Sequence, residues 1–74
     1  MQPDTTLLND LISYQMPFGK HKGKVLTELP VAYLEWMARE GFPKGRLGQL
    51  LATLYEIKIN GLEYLLKDIR KGQR

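Results

Sequence analysis

The chain has 74 residues, 43% of them hydrophobic and 26% charged, with no cysteine, so one small globular domain is expected, without disulfide, thiolate metal site or thiol nucleophile. The formal net charge is only +3, but nine of the eleven bases fall in three segments: Lys20, Lys22 and Lys24; Lys44 and Arg46; Lys67, Arg70, Lys71 and Arg74. The first twenty residues contain Asp4 and Asp10 and no base before Lys20, and apolar runs fall far short of the roughly 20 residues of a membrane span, so no export signal is expected and the chain reads as soluble and cytoplasmic.

Leu7, Leu8, Leu11 and Ile12 recur at helical spacing behind the capping candidates Asp4, Thr5 and Thr6, which predicts a helix over about 5–14. The helical period is then lost, and Pro17 drives Met16 toward an extended conformation. A short β-hairpin over about 16–26 is predicted, with Phe18 and Val25 or Leu26 facing inward. Its turn spans Lys20 to Gly23, and Gly23 supplies the left-handed residue of a type I turn plus bulge.

Pro30 suits the first position of a second helix, which runs to about Glu40 and stops at Gly41 before Phe42 and Pro43. Tyr33, Leu34, Met37 and Ala38 are its expected buried stripe, with Trp36 at the margin and Glu35 and Arg39 paired on the wet side. From Arg46, Leu47, Leu50, Leu51, Leu54 and Ile57 hold one helical phase that Gly61, Leu62, Leu65 and Ile69 continue, so one long helix is possible on phase alone. Lys58 interrupts that stripe, and Asn60 with Glu63 reads as an N-cap with its capping-box partner, so helices of about 46–58 and 61–70 are predicted. The sum is a single α+β domain, mostly helical, with about four short helices and one hairpin, ordered over about 5–70.

The chain offers little to catalysis. His21 is the one histidine and sits between lysines that repel a cation, Ser13 is the one serine, and neither has a recognisable activating partner. Gly19-Lys20-His21-Lys22-Gly23-Lys24 lacks the spacing of a phosphate-binding loop that opens a helix. A non-enzyme with no cofactor and no metal is expected. The functional reading of the hairpin tip is contact with the phosphates of single- or double-stranded nucleic acid. Lys20, His21, Lys22 and Lys24, with the accessible amides of Gly19 and Gly23 and support from Lys44 and Arg46, would supply charge; Phe18, and Trp36 or Phe42 if exposed, would supply stacking. The alternative is a protein-interaction or homodimer face built from Tyr55, Ile59, Tyr64 and Leu66, which lie off the main apolar stripe.

The run Met16-Pro17-Phe18-Gly19-Lys20-His21-Lys22-Gly23-Lys24, followed by Leu29-Pro30 and Tyr33-Leu34-Glu35-Trp36, resembles a small bacterial family of unknown function labelled putative quorum-sensing-regulated virulence factor. Gly41-Phe42-Pro43-Lys44-Gly45 and Glu56-Ile57-Lys58-Ile59-Asn60-Gly61-Leu62 extend the likeness over about 14–67. The label describes regulation rather than chemistry, and the resemblance implies no activity. The first half is also similar to a C-terminal module of exonuclease-X-like nucleases, which implies company with DNA by association only.

Overall fold

A computed structural model describes residues 5–66, and within them the elements are α1 (Thr5–Ser13), a 3₁₀ turn (Leu26–Glu28), α2 (Val31–Glu40) and α3 (Gly45–Ile59), with a further helical turn over 64–66. The predicted extent of the last helix to residue 70, its Ile69, the proposed cap Asp4, and the basic cluster Lys67, Arg70, Lys71 and Arg74 lie outside the described residues.

The fold is helical, which corrects the α+β expectation: no strand forms among the described residues, and the predicted hairpin is reduced to one antiparallel bridge between Gln15 and Val25. The bridge is bracketed by Met16 N–H donating to Lys24 O (2.8 Å) and Leu26 N–H donating to Tyr14 O (3.0 Å). It cannot lengthen, because the neighbouring donors are already committed. Tyr14 N–H closes the end of α1 on Asp10 O (2.7 Å), and Lys24 N–H closes a turn on His21 O (3.1 Å). Pro17 has no N–H to offer, and Leu26 enters the 3₁₀ turn straight after the bridge. The inward side chains are Met16 and Leu26, at 1% and 0% exposure, whereas Phe18 is turned out.

Pro30 occupies the N-cap of α2 rather than its first turn, with φ −66° and ψ 146°, and its carbonyl accepts from Tyr33 and Leu34 N–H. Gly41, at φ 107°, ends the helix where predicted. Leu34 and Met37 are buried as expected, but Ala38 is exposed, and Trp36 lies well out in solvent at 49%. The α2 stripe is thus narrower than its sequence suggests.

The end of α3 near Asn60 falls where it was predicted, for a different reason. Gly61 (φ 68°) donates to Lys58 O and Leu62 donates to Ile57 O, the paired bonds that satisfy the last carbonyls of a helix ending in a left-handed glycine. Asn60 turns back, its side-chain amide donating to Glu56 O at 2.8 Å, so it closes α3 instead of opening the next helix. Glu63 is no capping-box partner either: it pairs with Lys58 at 3.3 Å, which lets Lys58 sit at the stripe's edge with its charge compensated.

Leu11 and Ile12 of α1, Met16, Leu26, Leu29, Leu34 and Met37 of α2, and Leu50, Leu51, Leu54 and Ile57 of α3 form one core, completed by Leu66. Each buried aliphatic side chain contributes about 1.5–3 kcal/mol relative to exposure. The entry to α3 is tight: a Cβ at buried Gly48 would collide with the Pro43 carbonyl oxygen, so only glycine fits there. Alanine in place of an ordinary helical glycine gains about 1 kcal/mol. Here Gly48→Ala is expected to reverse that sign and destabilise by about 1–3 kcal/mol, as overpacking does; urea denaturation followed by circular dichroism measures it, and a stabilised variant would refute the contact.

Candidate nucleic-acid interface

The candidate site is the loop from Met16 to Lys24, held by its backbone at a single post. Met16 N–H donates to Lys24 O and Met16 O accepts from Gly23 N–H (2.8 Å each), so two residues face one. Gly23 takes φ 90° to make this possible, the left-handed residue expected of it. Two turns fill the loop: Lys22 N–H donates to Gly19 O (3.2 Å) and Lys24 N–H to His21 O (3.1 Å).

These turns sort the side chains. Lys20, Lys22 and Lys24 are all exposed, while His21 between them is buried at 8% exposure. The imidazole packs edge-on against Tyr33 of α2, with ring centroids 4.6 Å apart and an interplanar angle of 68°, and its Nδ1 is buried without a hydrogen-bond partner. Gly19 also approaches α2: a Cβ there would meet the Tyr33 hydroxyl at 3.7 Å. Tyr33 in turn stacks on Trp36, 6.1 Å away and 24° from parallel. The site therefore consists of a cationic loop and an aromatic row, His21–Tyr33–Trp36, that leads from the loop to solvent. Phe18 adds a second exposed ring at 46%.

Arg46 and Lys44 do not extend this site in the way the sequence suggested. Arg46 is committed to α1: its Nη2 and Nε donate to the Asp10 carboxylate at 2.7 and 3.2 Å, and Nη1 donates to Gln49 Oε1 at 3.0 Å. Lys44 is exposed at the N-cap of α3, on a separate connection. Neither ion pair among the described residues, Arg46–Asp10 or Lys58–Glu63, uses a loop lysine. The alternative face is divided as well. Leu66 belongs to the core at 6% exposure, and Tyr55 is half-buried against Phe42 (6.3 Å), leaving Ile59 and Tyr64 exposed at 49% and 56%.

The aromatic row was the feature missed in the sequence. Its signal was present, because Tyr33 and Trp36 are three residues apart and so share one flank of a helix; what the sequence lacks is the third member, His21, brought to that flank by the loop. Among the described residues no group of three or more His, Cys, Asp or Glu side chains is arranged to hold a metal ion, and no helix is long and apolar enough to cross a membrane.

Burial, reinforced by the Lys24 and Lys20 ammonium groups, pushes the His21 pKa below its ordinary value of 6.5. Folding thus favours the neutral ring. As pH falls through 6.5 the unfolded chain takes up a proton that the folded chain resists, so stability should decline on acidification until the lowered folded-state pKa is passed. Thermal melts between about pH 7.5 and pH 5 should show this extra loss in the native protein and not in His21→Gln, and identical pH dependences would refute the buried neutral imidazole.

The family model described as "Putative quorum-sensing-regulated virulence factor" matches residues 4–69. The chain is also 46% identical over 57 residues to the uncharacterized protein YpeB of Escherichia coli strain K12, a match covering 76% of this chain and 79% of that protein. The same figures hold for the uncharacterized YpeB of Escherichia coli O157:H7. No solved structure matches the chain. Neither relative's name states an activity, and these matches lend nothing to the likeness with exonuclease-X-like modules.

Proposed function

The chain belongs to the putative quorum-sensing-regulated virulence factor family, and within it we propose that this protein is a non-catalytic module that binds nucleic acid through its lysine loop. The observation that carries the reading is the sorting of side chains in the loop: Lys20, Lys22 and Lys24 project to solvent while His21 is turned inward. With no carboxylate paired to them among the described residues, the three ammonium groups remain available to a polyanion. Because the loop is closed by its own backbone bonds, little ordering accompanies contact with a phosphate backbone.

The non-catalytic reading has support in the same details. His21, the chain's single histidine, is packed against Tyr33, and the Ser13 hydroxyl donates to the Asn9 carbonyl at 2.9 Å. Neither is set up to move a proton for a substrate. Nucleic acid is preferred over an acidic protein because exposed rings, Phe18 and Trp36, accompany the charge; flat faces beside cations suit bases beside phosphates.

Fluorescence anisotropy of labelled oligonucleotides, titrated at two salt concentrations, tests the proposal. Three phosphate contacts at about −0.7 each predict roughly 20-fold weaker single-strand binding at about 200 mM than at about 50 mM salt. A Lys20/Lys22/Lys24→Ala triple variant should flatten that slope. Arg46→Ala should keep it while losing at most about 1 kcal/mol of stability, the range for a surface ion pair. Absence of binding below about 100 μM at low salt, weaker than ordinary non-specific association, would overturn the proposal and direct attention to Ile59 and Tyr64 as a protein-docking face.

A further inference from the structure

Resting on the nucleic-acid reading, we infer that the loop's partner is a single strand, and that Trp36 stacks on one of its bases while the loop lysines hold the flanking phosphates. Three independent features converge on Trp36. It is 49% exposed, although an indole of that size is ordinarily drawn into a thin core. Its near-parallel packing on Tyr33, at 6.1 Å and 24°, holds the ring while about half of the residue stays in solvent. Tyr33 is packed in turn against His21 at 4.6 Å, so the indole is carried on an α2 side chain that is itself in contact with the lysine loop.

That arrangement selects for unstacked bases. In a duplex each base already has neighbours on both faces, and an indole has nothing to stack on without prising them apart. In a single strand the faces are open, and an aromatic ring beside a cationic groove binds them with little regard to sequence. Charge complementarity decides the class of occupant: an apolar protein surface would satisfy Trp36 and Phe18 but leave Lys20, Lys22 and Lys24 facing it unpaired. Exposed Phe18, on the loop itself, offers a second ring.

Trp36 is the one tryptophan of the chain, so its fluorescence reports on this site alone. The native protein is titrated with labelled oligothymidylate, oligouridylate, an abasic deoxyribose-phosphate strand of equal length, and a duplex, while anisotropy and Trp36 emission are read together. The base-bearing single strands should quench Trp36 and bind roughly 5-fold or more tightly than the abasic strand, the lower end of what stacking on one base supplies. Trp36→Ala should remove that advantage and leave abasic affinity unchanged; Trp36→Phe should restore part of it. Circular dichroism confirms that the variants fold, as expected for an exposed position. Quenching by either sugar supports the inference, and the tighter of the two identifies the natural strand. Equal affinity for abasic and base-bearing strands without quenching, or a preference for duplex, overturns the stacking inference while leaving the lysine-loop reading standing. Failure of every nucleic acid to bind removes both.

Discussion

Every other element of this fold rests on α3. Its Leu50, Leu51 and Leu54 are fully buried, and α1, the 3₁₀ turn and α2 all pack against it. A chain of this length buries a smaller share of its surface than a larger domain does, so one central helix must present apolar side chains in several directions at once. That requirement explains the close passage at Gly48, where the Pro43 carbonyl lies so near the α3 backbone that no side chain fits between them. It also explains why Leu66 is drawn into the core.

The loop between Met16 and Lys24 is closed by two backbone bonds of Met16 and anchored by two side chains. Met16, almost completely buried, fixes the loop's base, and His21 fixes its middle against Tyr33. The lysines fall on the outside because the alternating turns leave them no other place. Charge and aromatic surface thus come together from two parts of the chain, the loop and the first turns of α2.

Much of this was legible in the sequence. The glycine signals at Gly23 and Gly41 mark backbone that must turn left-handed, and both do so, whereas Gly61, read as the start of the next helix, turns left-handed to end α3. Leucine and isoleucine periodicity located α1 and α3, and Pro30, Gly41 and a mixed apolar stripe located α2. What escaped is set by competition among donors or by distance along the chain. The hairpin failed because Tyr14 and Lys24 spend their amides on the end of α1 and on a turn, a matter of which acceptor is nearer and not of strand propensity. The free cation anticipated at Arg46 is paired with Asp10, thirty-six residues away, and no local pattern announces such a partner. Ala38 was misjudged because α2 touches the core along a narrower strip than its apolar residues would fill, which also leaves Trp36, at the strip's margin, half exposed.

The separation of duties within the loop has an evolutionary consequence. Its shape is maintained by Met16, Gly19, His21 and Gly23, while Lys20, Lys22 and Lys24 maintain nothing but its potential. Residues free of structural obligation can be exchanged at little cost to folding. Related chains can therefore retune or even reverse the electrostatic character of this tip while inheriting the same scaffold, so that partner preference drifts at alternate positions and the framework between them stays fixed.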